Sequence, residues 1–229
     1  MIKIGLIVAM EEESKNIYGR LGRKLSESVE YGYRVTKYTR NGKILYMIGT
    51  GIGELNAALA TQHLIREYGI DYIINFGVVG SLNKTYKSLD VVAVGEIVHY
   101  DFSLNTLDDD SYGKYPMQRE KAEFGVDTDM LDKLKSISPD TPIVKIASGD
   151  KFVAKRELRD WIINKFSADI CDMESMGIYY AAKKYNVPCL FIKAVSDDAD
   201  ETAPVSFESV VENGISAYVS IVEKVVDGL

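Results

Sequence analysis

Cysteine and histidine are scarce: Cys171 and Cys189, His63 and His99 are the only ones in 229 residues. Each cysteine lies beside or within an apolar run, the setting of a small buried hydrophobe rather than of a disulfide. No Cys/His cluster has metal-ligand spacing, so no metal site is expected. His63 falls in the helix-like stretch Asn56 to Glu67 and reads as a helix-surface residue. His99 ends a strand-like run beside Tyr100 and Asp101 and reads as structural. Positive charge is in deficit as well: 27 Lys and Arg stand against 34 Asp and Glu, a net charge of −7. With no basic run, the electrostatic footprint of nucleic-acid binding is missing. No apolar run approaches the length that spans a bilayer. The opening MIKIGLIVAMEEE lacks a basic leader and a cleavage pattern, so it reads as a first core strand and the chain is expected to be cytoplasmic. Internal repeats and low-complexity segments are absent too.

What is present is an ordinary globular composition, 46% hydrophobic and 27% charged, sufficient for one domain spanning residues 1–229. Ile2 to Ala9 reads as a buried strand, and Glu11-Glu12-Glu13 opens a helix to about Leu21, since carboxylates suit a helix N-terminus. Tyr33 to Tyr38 and Lys43 to Ile48 pair around Asn41-Gly42. A glycine-rich turn, Gly49 to Gly53, precedes a helix from Leu55 to Tyr68. Strand-like runs follow at Asp71 to Phe76, Val91 to Val98, Pro142 to Ala147, Asp169 to Asp172 and Pro188 to Val195. Helical patterns fall at Thr128 to Ser136, Lys155 to Phe166 and Met176 to Tyr185, with one long amphipathic helix from Ser206 to Val226. Alternating strands and helices predict an α/β fold with a mostly parallel or mixed sheet. Asp101 to Gly125 is polar and aperiodic, and its aromatics favour a lid or a contact surface.

Three acids stand at the ends of apolar runs far apart in sequence: Glu13 in IGLIVAMEEES, Glu174 in ICDMESMG and Asp197 in CLFIKAVSDDAD. In open α/β sheets the strand ends are where ligands bind. Singly, each has a plain structural account: a charged first helical turn, a helix cap, and local turn-making by Asp and Ser. Together they point to acid–base chemistry on a small, neutral, polar molecule. Gly49-Thr50-Gly51-Ile52-Gly53 is no dinucleotide fingerprint, because Glu54 stands where Gly or Ala is needed, and the Gly-Lys-Ser/Thr of a P-loop is missing. A tight turn and a close backbone approach to a ligand both fit it.

Read in order, IGLIVAMEEE, TGIGELNAA, ASGDKFV, DMES, AVSDDAD and VSFESV resemble the 5′-methylthioadenosine/S-adenosylhomocysteine nucleosidases of the nucleoside phosphorylase superfamily, nearly end to end. The resemblance implies an α/β three-layer sandwich with a central mixed, partly barrel-like sheet flanked by helices. It implies hydrolysis of an N-ribosidic bond without a cofactor, in nucleoside catabolism and methionine salvage. It also implies a homodimer whose partner subunit closes the pocket, with the segment Asp101 to Gly125 as the candidate that crosses. Glu13 resembles the general base for water. Met173 and Glu174 resemble the pair that holds the ribose. Asp197 resembles the acid that protonates purine N7, oriented by Ser196. Phe152 would stack on the purine and the Val153 backbone would read its edge. Met10, Ile52 and Phe207 would line the pocket for the 5′-thioalkyl group.

The chain departs from the family pattern at Val78, where Ser is usual, at Lys193, where Arg is usual, and more mildly at Asp172, where Glu is usual. Val78 and Lys193 are expected near the attacking water. Lysine keeps the charge but loses the planar fork of donors. Two other readings stay open: a phosphate-dependent nucleoside phosphorylase, which needs a cradle of arginines and hydroxyls, and a nucleoside-binding protein with weak turnover.

Overall fold

The computed structural model describes residues 1–103, 123–212 and 216–229. Its strands are β1 (Lys3–Val8), β2 (Arg23–Glu30), β3 (Tyr33–Arg40), β4 (Lys43–Gly49), β5 (Tyr72–Ser81), β6 (Val91–His99), β7 (Glu123–Gly125), β8 (Ile143–Ser148), β9 (Ile170–Asp172) and β10 (Cys189–Asp197). Its helices are α1 (Glu11–Ser14), α2 (Glu54–Tyr68), α3 (Thr128–Ile137), α4 (Arg156–Phe166), α5 (Ser175–Lys184), α6 (Ala203–Glu212) and α7 (Val219–Gly228).

All ten strands join one mixed sheet. Strand β5 pairs in parallel with β10 and with β1, and β1 continues through β4 and β3 to β2. On the other side β10 meets β6, β6 meets β8, β8 meets β9, and β9 returns to β5. That circuit closes five strands into a barrel with an open extension, the mixed and partly barrel-like sheet expected above.

Alternation along the strands divides the core between two faces. Ile4, Leu6 and Val8 of β1 pack with Ile74 of β5 against Met130 and Leu134 of α3 and Val219, Val222 and Val226 of α7. Ile7 and Ile73 face the other way, toward Ala57, Ala60 and Leu64 of α2 and Ile178 and Ala182 of α5. All nine residues of β10 are buried, and each large apolar side chain hidden this way stabilises by about 1.5–3 kcal/mol.

Two local expectations are corrected, and one strand, β2, has no counterpart in the sequence pattern. The helix opened by Glu11 ends at Ser14 and is followed only by a single 3-10 turn, Tyr18–Arg20. The long C-terminal helix is two, α6 and α7; Asn213 and Gly214, both weak helix formers, fall between them in sequence. Strand β2 carries no apolar alternation, because nearly all of it is exposed; pairing with β3 makes it a strand. His63 is also more enclosed than a surface residue, bonded at 3.0 Å to Glu30 and edged by Tyr31 and Tyr68. Cys171 and Cys189 are free and buried. Residues 104–122, most of the candidate crossing segment, lie outside the described residues.

Candidate active site

One cavity of about 400 Å³ opens where β1, β5, β9 and β10 end, and Glu13, Glu174 and Asp197 all line it. The acids do not arrive from one parallel edge. Strand β9 runs antiparallel to β5 with Gly80 opposite Cys171, so Glu174 comes in from the opposite direction. Met10, Ile52, Val78, Phe152, Val153, Met173, Ser196 and Phe207 line the same cavity. So do Gly80, Lys151, Cys171, Pro204 and Glu208, to which the sequence pattern assigns no role. They come from separate segments and become neighbours only in space.

Glu13 sits in the first turn after β1 and is buried. Its Oε2 accepts from the backbone N–H of Ala9 at 3.0 Å and of Met10 at 2.9 Å, and its Oε1 accepts from Val78 at 2.8 Å. Its pKa is raised: burial pushes it up, and these amides and the charge of Lys193 offset only part of the rise. Every recorded partner of the carboxyl is a donor, so the ionised form is the one that fits. Gly77 makes this approach possible: a Cβ there would overlap Glu13 Oε1. The Tyr218 hydroxyl donates to the Glu13 carbonyl at 2.7 Å and fixes the turn from α7.

Asp197 ends β10. Its Oδ1 accepts from the Ala199 N–H at 2.9 Å, and its Oδ2 lies 2.7 Å from Ser196 Oγ. Burial raises its pKa, with the neighbouring Asp198 and Asp200 adding to the rise. Ser196 Oγ is also 3.2 Å from the Val79 carbonyl. Its single hydroxyl proton can therefore go to either partner. Turned to Val79, the hydroxyl accepts from a protonated Asp197; turned to Asp197, it donates to the carboxylate.

Glu174 precedes α5, and its Oε1 accepts from the Gly53 N–H at 2.9 Å. Gly53 has φ 103°, a conformation side chains rarely adopt, and it presents that N–H at the start of α2. Burial raises the Glu174 pKa first, and the nearby Asp172 carboxylate raises it further.

Lys193 departs from expectation. It does not line the cavity; its ammonium is buried against Asp172 Oδ2 at 2.8 Å. Strand β10 is covered on both faces, and a charge there requires a buried counter-ion. Its influence on Glu13 and Glu174 is through space, lowering the pKa of both. His99 pairs with Asp101 at 3.0 Å and stays outside the cavity. Among the described residues, no group of His, Cys, Asp and Glu has the arrangement of a metal site, and no helix is long and apolar enough to cross a membrane.

The barrel-centred sheet thus carries a carboxylate-lined cavity at its strand ends. The chain belongs to the phosphorylase superfamily, whose family model matches residues 3–227. It is similar to an aminodeoxyfutalosine nucleosidase of Helicobacter pylori, 30% identical with 99% of each chain covered. It is also similar to a 5′-methylthioadenosine/S-adenosylhomocysteine nucleosidase of a Geobacillus species, 29% identical over 100% of this chain and 99% of that one. Among solved structures, a 5′-methylthioadenosine/S-adenosylhomocysteine nucleosidase of Helicobacter pylori bound to butyl-thio-DADMe-Immucillin-A superposes with a TM-score of 0.94. It is 27% identical, and 100% of this chain and 99% of that one are covered.

Proposed function

We propose that this chain hydrolyses the N-ribosidic bond of 5′-substituted adenosines of the methylthioadenosine and adenosylhomocysteine type, giving adenine and a 5-thio-substituted ribose. The observation that carries the reading is the single cavity lined by Glu13, Glu174 and Asp197, each held by its own strand end. Cleavage leaves positive charge on the sugar and negative charge on the base, so one carboxyl must protonate the leaving group while another prepares water. Asp197, raised by burial, supplies the proton to purine N7. As it ionises, the Ser196 hydroxyl turns from Val79 to donate to it. Glu13 has two N–H donors on Oε2 and one on Oε1, so Oε1 keeps the free lone pair that takes a proton from water. Glu174 grips the ribose hydroxyls through Oε2; burial and Asp172 push its pKa up to about 8, and the developing cationic sugar favours its ionised form. Met173 packs beside the ribose, the Val153 backbone reads the purine edge, and Met10, Ile52 and Phe207 take the 5′ substituent. All protons come from water and side chains, so the scheme needs no cofactor.

Hydrolysis is favoured over phosphorolysis by the cavity wall. Val78 and Val79 offer no side-chain donor, and Lys193 is committed to Asp172. Among the described lining residues the only cation is Lys151, beside Phe152 in the base-binding segment. The test is a panel of methylthioadenosine, adenosylhomocysteine, 5′-deoxyadenosine and aminodeoxyfutalosine, assayed for free base with and without phosphate. Base release independent of phosphate supports the proposal; release only with phosphate, or tight binding without release, refutes it.

Phe152 is partly exposed and stands edge-on to Phe207, with ring centroids 5.7 Å apart. Stacking on a base contributes about 1–3 kcal/mol. Phe152→Ala is therefore expected to raise KM roughly 5- to 100-fold while kcat changes less, read from initial rates across substrate concentration.

The protein is proposed to act as one domain, in the cytoplasm and in methionine salvage, and as a homodimer. Ile52, Leu55 and Leu59 expose an apolar stripe beside the cavity mouth, with Leu55 70% exposed. A partner subunit covering that stripe would also close the 5′ pocket.

A further inference from the structure

We propose that Glu54 acts as a neutral carboxylic acid at the head of a buried hydrogen-bonded chain, Glu54–Ser148–Asp172–Lys193, that positions Glu174 for the sugar. The role in catalysis rests on the nucleosidase reading; the protonation state rests on geometry alone.

The chain is defined by counting protons. Ser148 Oγ lies 2.5 Å from Glu54 Oε1 and 2.7 Å from Asp172 Oδ1, and it receives the Met176 N–H at 3.1 Å. A hydroxyl has one proton and two lone pairs. With both carboxyls ionised, one of those short oxygen–oxygen contacts would hold no proton. Asp172 is the ionised member: Lys193 Nζ donates to its Oδ2 at 2.8 Å, the Ser175 hydroxyl donates to the same oxygen, and the amides of Glu174 and Ser175 face Oδ1 at 3.4 and 3.3 Å. The missing proton therefore sits on Glu54 Oε1. Glu54 donates to Ser148, Ser148 donates to Asp172, and the Met176 amide takes the remaining lone pair. Glu54 Oε2 accepts from the Gly177 N–H.

The surroundings agree with this count. Glu54 is buried; Asp172 on β9 faces it with like charge, Glu174 at the start of α5 adds to this when ionised, and the only cation of the cluster, Lys193 on β10, is bonded to Asp172. Asp150, after β8, takes the Glu54 backbone N–H at 2.7 Å. Burial and the Asp172 charge raise the Glu54 pKa well above the usual carboxylate range, while Lys193 and the serines hold Asp172 low.

The consequence for the site runs through one peptide unit. Gly53, the residue before Glu54, donates the N–H that holds Glu174 Oε1 at 2.9 Å. Gly177 on α5 packs directly on the Glu54 carbonyl, where a Cβ would overlap it. Glu54 thus clamps the start of α2 to the start of α5, and Glu174 lies in the clamp. A misplacement of about 1 Å in a positioning contact can cost roughly 100-fold in rate.

The test compares wild type, Glu54→Gln and Glu54→Ala. Glutamine donates to Ser148 through its amide and accepts from Gly177 through its carbonyl, reproducing the neutral acid. At pH 7, Glu54→Gln should hold kcat/KM within roughly 3-fold, and Glu54→Ala should lose roughly 10- to 100-fold. As pH rises, wild type loses the Glu54 proton and with it activity; Glu54→Gln lacks that contribution and keeps only the alkaline limb set by Asp197. The infrared difference between wild type and Glu54→Gln should show the C=O stretch of an un-ionised carboxylic acid. Absence of that band, a glutamine variant as impaired as the alanine one, or an alanine variant with wild-type kcat/KM would each overturn the proposal. If Glu54→Ala fails to fold, the glutamine pH profile and the infrared band still decide it. Because the infrared measurement needs no turnover, a wild-type protein that released no base would sink the nucleosidase reading alone.

Discussion

Replacing Asp197 by asparagine is expected to lower kcat by roughly 10²–10⁴-fold, the range for loss of a general acid, while the protein stays folded. Asparagine preserves the shape and can still accept the Ala199 N–H that Oδ1 now takes at 2.9 Å. It cannot hand a proton to the base. The same loss should appear in kcat/KM, because the proton is needed only in the transition state. Substrates whose leaving group departs without protonation should be nearly indifferent to the change. Steady-state kinetics on a nucleoside and on such an activated substrate separate the two cases. Near-wild-type turnover of the natural nucleoside would remove Asp197 from the chemistry.

The second large effect concerns stability. Lys193→Met is expected to destabilise the protein by about 3–5 kcal/mol, because it leaves the Asp172 carboxylate buried without its counter-ion. Against a total stability of about 5–15 kcal/mol, that is visible in urea denaturation. The sign with pH follows from Asp172. Its folded pKa lies below the ordinary value of 3.8, chiefly through Lys193 working against burial. It contributes stability above that ordinary value and loses it as pH falls through the folded one. In the variant the contribution is gone, so the deficit should be largest at neutral pH and shrink toward acid, where Asp172 takes up a proton. Asp172→Asn combined with Lys193→Met should recover most of the loss, since the two act as a pair. Lys193 also lowers the pKa of Glu13, so the acid-side limb of the activity profile should move to higher pH in the variant. A Lys193→Met protein as stable as wild type at neutral pH would mean that Asp172 does not carry a buried charge.

Much of the site is legible in the sequence because its acids follow strands whose apolar runs are unmistakable. IGLIVAM, ICDM and CLFIKAV announce interior strands, and Glu13, Glu174 and Asp197 follow them within three residues. Lys193 was harder to place. Its side chain direction is set by the pleat of β10, and its partner Asp172 lies on a strand that β10 does not pair with. The role of Glu54 left no sequence signal beyond spoiling a dinucleotide motif, since Ser148 and Asp172 are 94 and 118 positions away and meet it only across the barrel.

The sequence by itself determined the alternation of strands and helices, the Asn41-Gly42 hairpin and the acids at strand ends. Each depends on periodicity or turn chemistry within a few residues. Tertiary structure alone decided the strand identity of β2, the division of the last helical stretch, the barrel closure through the antiparallel contact of β9 with β5, and the protonation of Glu54. Those depend on which distant groups share a low-dielectric interior, where pairing partners and charges from other segments outweigh local preference.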